Sequence, residues 1–523
     1  MLNYFNIPPV WLFLLAFLPL SVWDFSRRVD LGAAILHGAE RLGKHEKAFP
    51  AVTVLLTFLV LSGMAYGVLL DFPNSGDEYV YLFQAETYQQ GRLWNQPHPE
   101  APFFRVHHIA QKEGKRVGRY PPGWPLLLAA ALSLRFPPGL VNPVLGALSI
   151  LALYGLARRL FNPAVAVLSA LSLLASSFFI FNGASYFSHT ACGLLILLFV
   201  YCCVRRRQEG KAYWALLAGV FMGYAFLTRY FTAALAAAPA AVYLLRDRPR
   251  KTLATATLVA LGALPFVFAL LYYNSQVTGN PFLLVTNWID PLDRPGFVKG
   301  DLLYGVKCTL RNFFDLVKWG SPAILPLFAF LILSRRAGRE NALAASMFLI
   351  LVAGHFFYQT SGGNRYGPRY YYEGYPFLIL TVMSGLGSER KPVTNSIWRR
   401  FFAIVLAAGF IAGIGTVPFI ARIENRVINE RLDLYRLVER EQLSHAVVFL
   451  ETGTGALRYF PPGDLTRNGL DFDRDVLYAW DRGQANQRLM AYYPGRSFYR
   501  YLRDAEQARG RLVRLQESIP TIP

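Results

Sequence analysis

The sequence predicts a mainly α-helical, polytopic membrane protein with a small α/β domain outside the bilayer at its C-terminal end. Three observations carry that reading. Hydrophobic residues make up 54% of the 523 positions, and mean hydropathy is +0.29. Charged residues are 16% of the chain, against roughly 25% in an average soluble protein. The apolar residues also cluster in blocks of about 16 to 22, enough to cross a hydrocarbon core of about 30 Å at about 1.5 Å per helical residue.

In chain order the expected crossings lie near residues 8–25, 49–70, 140–157, 163–182, 187–204, 212–229, 231–246, 252–273, 319–334, 342–359, 370–388 and 400–421, twelve in all. Short loops rich in Lys and Arg stay in the cytoplasm. Every second connection is basic: Arg27, Arg28, Arg41, Lys44 and Lys47; Arg158 and Arg159; Arg205, Arg206, Arg207 and Lys211; Arg246, Arg248, Arg250 and Lys251; Arg335, Arg336 and Arg339; Arg390, Lys391, Arg399 and Arg400. The alternation holds only if the apolar stretch Pro122 to Phe136 does not cross, so it reads as an interfacial or re-entrant helix. The first apolar segment lacks a basic n-region and is followed by Arg27-Arg28, the pattern of a retained helix entering from outside.

The net charge of +20 is mostly this positive-inside bias, so nucleic acid is not an expected partner. Cys192, Cys202 and Cys203 lie in or at the end of one apolar segment, and Cys308 stands alone, without CxxC or Cys/His metal spacing.

Three stretches are long enough to fold outside the bilayer, all on the same side: residues 71–121, 274–318 and the tail after Ala421. The expected units are therefore 1–48, a helix with a basic loop; 49–421, the transmembrane core; and 422–523, a small α/β domain. In the tail a helical pattern from Arg426 to Leu443 precedes the strand-like runs Ala446–Leu450 and Asp475–Trp480 and a short helix near Gly483–Met490.

The first outer stretch opens on Asp71-Phe72-Pro73-Asn74-Ser75-Gly76-Asp77-Glu78. Ser75-x-x-Glu78 is a capping box that starts an amphipathic helix, and Gly91 closes it. Phe104 to Tyr120, broken at Glu113-Gly114-Lys115, reads as a β-hairpin with His107 and His108 on one strand and Arg119 on the other. Acid in the first turn of a helix is favoured by about 0.3–1 kcal/mol, and for Glu78 the capping role suffices. Asp77 projects from the turn at the membrane boundary and is the candidate general base.

Arg119, Arg229, Arg294, Arg365 and Arg369 fall on the outer side, against the positive-inside rule. Snorkelling to head groups is the ordinary reason. Binding of a lipid phosphate by paired guanidinium N–H groups is the other, and the Gly- and Pro-bearing turn of Arg365 and Arg369 favours it. His107, His108, His189 and Tyr370 are candidate sugar or acceptor contacts, set against surface histidines and an interfacial tyrosine belt.

The apolar blocks carry almost no ionisable residue at mid-depth, which argues against an ion-coupled carrier. No P-loop, Gly-x-Ser-x-Gly, His-Glu-x-x-His or strand-associated GxGxxG motif points to a soluble nucleotide or a metallohydrolase site.

The acid pair after an early crossing, the surface helix, the Tyr120-Pro121-Pro122-Gly123-Trp124 return and the Gly367-Pro368-Arg369-Tyr370 loop together resemble the GT-C superfamily of membrane glycosyltransferases. Within it, the likeness is to bacterial relatives of protein O-mannosyltransferases and of the aminoarabinose transferases of lipid A. It runs from about residue 49 to 421 and is strongest at Ser75–Gly91, Arg119–Leu128, Phe226–Phe231 and Gly362–Pro376. The resemblance implies that Asp77 is the catalytic acidic residue and Glu78 its common neighbour. Arg119 and Arg229 stand near where relatives often place Lys, which keeps the charge and changes the geometry. The helix at 8–25 departs from the simplest family plan.

What the resemblance implies further is a polyprenyl-phosphate sugar donor in a bacterial inner membrane, facing outward. The acceptor hydroxyl would belong to a glycolipid, an envelope glycan or a protein, and no metal or other cofactor is expected. Two other readings stand beside it: a lipid-linked glycan flippase that breaks no bond, and a metal-dependent transferase of a phosphate-containing group.

Overall fold

The computed structural model describes residues 9–26, 30–244, 249–293, 302–333, 339–358, 362, 365–387, 396–451, 462–503 and 510–515. The helices are α1 (Pro9–Ser26), α2 (Leu31–Gly43), α3 (Ala48–Gly63), α4 (Gly76–Gln89), α5 (Gly123–Ser133), α6 (Val141–Leu160), α7 (Pro163–Leu174), α8 (Ser177–Ala184), α9 (His189–Glu209), α10 (Ala212–Leu244), α11 (Pro249–Thr278), α12 (Val285–Ile289), α13 (Leu302–Trp319), α14 (Ile324–Leu333), α15 (Arg339–Phe356), α16 (Tyr375–Gly387), α17 (Ser396–Arg440) and α18 (Asn486–Tyr492). The strands are β1 (Ile109–Lys112), β2 (Lys115–Gly118), β3 (Ala446–Leu450), β4 (Val476–Trp480), β5 (Ser497–Arg503) and β6 (Gly510–Arg514).

Among the described residues, 6 helices are long and apolar enough to cross a membrane, or 8 if two bent pairs each count as one span. The bent pairs are α7 with α8, at 64°, and α13 with α14, at 119°. Four shorter apolar helices, in α1, α5, α15 and α16, complete the set. The blocks 212–229 and 231–246 form the single element α10, interrupted at Arg229, whose φ −149 and ψ 77 are non-helical. Helix α5, at 11 residues, is too short to cross, as its place in the charge alternation requires.

Helix α9 is the central one, 72% buried over its apolar window, whereas α3 and α11 are 22% and 17% buried. Leu55, Leu59, Leu264 and Phe268 on those outer helices are exposed, as side chains facing acyl chains are.

Two charge sets gather at opposite ends of the bundle. At one, Asp24 pairs with Arg400 at 2.7 Å, Glu46 with Arg158 at 2.6 Å, and Asp30 with Arg399. These residues come from connections that the sequence assigns to the cytoplasmic side. Asp77, Arg119, Arg229 and Arg369 meet at the other end.

The tail forms a four-stranded sheet in the order β4-β3-β5-β6, parallel except for the antiparallel β5–β6 pair. All five residues of β3 are buried, which fits a central strand covered on both faces. Alternate side chains divide between the faces: Val448 and Leu450 pack with Leu434 and Val438 of α17, while Val447 and Phe449 pack with Phe103, Phe104 and Phe472. The sheet thus lies between the end of α17 and the segment that carries Phe103 and Phe104.

The stretch 274–318 carries α12 and α13, and the apolar block 319–334 contributes α14. The boundary at 421/422 falls inside α17, which continues unbroken from the apolar block into the helix expected at Arg426–Leu443. Strands β5 and β6 were not anticipated; β6 is mostly exposed, so it lacks the apolar run that marks β3.

Candidate active site

Helix α3 passes through a π-turn at Met64–Val68 and stops where Leu70 and Asp71 adopt φ 55 and 49. Ser75 then caps α4: its backbone is extended, and its Oγ accepts from Glu78 N at 3.3 Å. Gly76 lets Asp464 and His107 approach closely: an added Cβ would lie 2.8 Å from Asp464 Oδ1 and 3.1 Å from His107 Cβ. Asp77 follows, in the first turn.

The hairpin turns at Glu113 and Gly114, φ 52 and 70, as expected, but its strands are shorter than Phe104 to Tyr120, so His107, His108 and Arg119 flank them rather than lie on them. His107 and His108 precede β1 and Arg119 follows β2. His108 adopts φ 64, a left-handed conformation that costs an L residue about 1–2 kcal/mol. Arg119 N donates to its carbonyl at 3.1 Å and helps hold it there.

Asp77 is the hub. His108 Nε2 lies 3.0 Å from its Oδ1, Tyr120 Oη donates to the same oxygen, and Arg369 Nη1 is 3.0 Å from Oδ2. Arg119 Nη1 meets His108 Nδ1 at 2.9 Å. A guanidinium only donates, so Nδ1 accepts and the ring proton sits on Nε2, aimed at Asp77. Arg119 Nη2 in turn pairs with Asp293, which also accepts from Tyr358 Oη at 2.8 Å. Burial pushes the Asp77 carboxyl up, but the His108 hydrogen bond and the Arg369 charge outweigh it and hold it well below the usual range. Asp77 is therefore a carboxylate.

The side chains of Asp77, His108, Arg119, Arg229, Asp293 and Arg369 keep 11–20% exposure, so water reaches the site. Glu78, at 1%, does not share it. Its Oε2 accepts from Ser75 Oγ at 3.0 Å and its Oε1 from Tyr186 N at 3.1 Å. Burial pushes its carboxyl up against the pull of Arg365.

That Tyr186 contact organises the opposite wall. Trp124 Nε1 donates to the Tyr186 carbonyl at 2.8 Å, and Asn142 Nδ2 bonds the carbonyls of Ser185 and Phe187 at 2.6 and 2.8 Å. The fixed loop places Phe187 under Arg369, 4.0 Å from guanidinium carbon to ring centroid, and Ser188 Oγ 3.2 Å from Arg229 Nη1.

Of the other candidates, Arg365 turns to the Asn74 carbonyl and to Glu424, 3.9 Å away, rather than to Asp77. His107 packs on His108 with ring centroids 3.8 Å apart. His189 is buried against Glu373, Nδ1 to Oε1 3.0 Å. Tyr370 stacks on His355 at 4.5 Å. Arg294 lies outside the described residues. The sequence reading missed Glu373, Asp293, Ser188 and the bond from Tyr120 to Asp77. Glu373 and Tyr120 lie inside the singled-out motifs, although nothing there marks their contacts; Asp293 and Ser188 lie outside them. Among the described residues no three His, Cys, Asp or Glu side chains gather as metal ligands.

Residues 120–273 match the profile of a family described as dolichyl-phosphate-mannose-protein mannosyltransferase, and residues 446–517 match a domain of unknown function, DUF7846. No curated protein matches the sequence. The chain has the fold of the GT-C membrane glycosyltransferases. Within that class it is similar to ArnT from Cupriavidus metallidurans. The crystal structure of ArnT bound to undecaprenyl phosphate superposes with a TM-score of 0.56 at 13% identity, over 90% of this chain and 98% of that one. The apo form superposes with 0.58 at 12% identity, over the same shares.

Proposed function

We propose that the protein is an inverting glycosyltransferase that moves a sugar from a polyprenyl-phosphate donor to an acceptor hydroxyl on the outer side of a bacterial inner membrane. The observation that carries this reading is the ionised Asp77 held at 3.0 Å by both Arg369 and His108 at the outer end of the bundle. The undecaprenyl phosphate of the ArnT structure and the dolichyl phosphate in the family's description support the donor class.

Asp77 accepts the proton of the acceptor hydroxyl as its oxygen attacks the anomeric carbon, and the sugar–phosphate bond breaks with its electron pair leaving on the polyprenyl phosphate. Attack from the face opposite the phosphate inverts the carbon. Phosphate is a good leaving group once cations take up its charge, so no second carboxylic acid is needed. Arg369 and Arg229 supply the cations; Arg369 Nε is buried without a hydrogen-bond partner and is free to donate. Arg119, already shared by Asp293 and His108, holds the histidine. A strongly depressed carboxylate is a weak base. A donor phosphate that draws Arg369 away from Asp77 would raise its basicity as the substrate arrives.

The test is incubation of the purified protein with a panel of polyprenyl-phosphate sugars and membrane extracts, followed by mass identification of the component that gains a sugar. Transfer with inverted anomeric configuration supports the proposal. Movement of intact donor across the bilayer without cleavage would replace it with the flippase reading.

A further inference from the structure

Glu373 lies between the Arg369–Tyr371 turn and α16, with 0% of its side chain exposed. Its Oε1 faces His189 Nδ1 at 3.0 Å and Arg229 Nε at 3.2 Å, while Oε2 is buried without a hydrogen-bond partner. A carboxylate out of water with half its accepting capacity unused is tolerated only beside a cation. The groups facing it are Arg229 from α10, His189 and Cys192 from α9, Arg369 from its own turn, and Tyr372 beside it. The two arginines are the permanent cations of this set.

Resting on the reading of Arg229 and Arg369 as ligands of the donor phosphate, we infer that Glu373 is the resident anion of that site and takes up a proton from solvent when the donor phosphodiester replaces it as the partner of Arg229. No bond of the donor changes in this step: one proton leaves water and binds the Glu373 carboxylate. An incoming anion neutralises the guanidinium that favours the ionised form and adds a like charge, and both effects favour protonation. Burial already pushes the Glu373 carboxyl up to about 7, against Arg229 and Arg369, so the uptake falls near neutral pH. Glu373 is in this account a positioning residue, which keeps Arg229 oriented between turnovers and lets a single negative charge enter without a net change in the pocket.

The test uses the full chain in detergent and a short-chain polyprenyl methyl phosphodiester, whose one charge does not titrate. Calorimetry in two buffers of different ionisation enthalpy is expected to show proton uptake on binding, with affinity falling about tenfold between about pH 6 and about pH 8. Glu373→Gln is expected to abolish both effects while still binding the probe, and Glu373→Asp to restore them. Tight binding by the wild type with no proton uptake would overturn the inference and leave the site reading standing. Failure of the wild type to bind the probe would overturn both. The wild-type buffer comparison decides the matter without any variant.

Discussion

Arg369 and Asp77 are 292 positions apart in the chain and 3.0 Å apart in the fold, Nη1 to Oδ2. The pair sets the charge state of the site. Burial pushes the carboxyl up, yet His108 and Arg369 hold it well below 3.8. A group depressed in this way is ionised, and stabilising, above its unfolded value, and loses that contribution as pH falls through the folded value. In the donor-free protein, the stability difference between wild type and Asp77→Asn is therefore expected to persist from neutrality down to the ordinary carboxylate range. In an Arg369→Gln background that difference should fade at a higher pH, within that range. A pH dependence that does not move would show that Arg369 does not govern Asp77.

Asp293, Arg119, His108 and Asp77 form a linear chain of contacts. His108→Ala is expected to lower kcat by about 10- to 100-fold, the worth of a hydrogen bond to a charged group. Arg119→Ala should lose a similar amount, because the imidazole is then no longer held in the donating tautomer. If the residues act as one chain, the double variant is no worse than the more damaged single variant. Additive losses in the double-mutant cycle would mean that each contributes separately.

Arg467 joins the tail to the turn that carries Asp77. It stacks on Phe72 at 4.1 Å, donates to the Pro73 carbonyl, and bonds the Asp464 carbonyl at 3.0 Å. Arg467→Ala is expected to destabilise the protein by about 1–3 kcal/mol, from the stranded carbonyls and lost packing. Thermal unfolding in detergent would read this as a lower Tm, with a parallel loss of activity. An unchanged Tm would show that the tail does not brace the acid turn.

Because no three-residue set of metal-ligating side chains gathers among the described residues, turnover is expected to survive prolonged chelation. Loss of activity in chelator, restored by a single divalent ion, would favour the metal-dependent transferase reading.

Much of this architecture was legible beforehand because membrane insertion writes strong signals. Block length marks the apolar helices, though among the described residues 6 to 8 of them rather than twelve blocks are long enough to cross, and Ser75-x-x-Glu78 and Glu113-Gly114 mark a cap and a turn by local chemistry. The bends were not legible: α13 and α14 meet at 119° through tertiary packing that no periodicity reports. Within the site, Asp77 and Arg369 stood out because each breaks an expectation for its location. Asp293 and Ser188 did not, since an acid in a polar loop and a serine before a helix look ordinary until the fold brings Arg119 and Arg229 to them. Glu373 was overlooked because the tyrosines around it resemble an interfacial belt in the sequence, whereas Tyr366, Tyr371, Tyr372 and Tyr375 are buried in the core.

The central claim is that Asp77 acts as the base, and the most direct measurement is single-turnover sugar transfer by Asp77→Asn in membranes that contain wild-type amounts of folded protein. The account predicts unchanged protein level and retained donor binding, with the transfer rate reduced by at least about 10²-fold, the usual share of a general base. Transfer at a near-normal rate would contradict it.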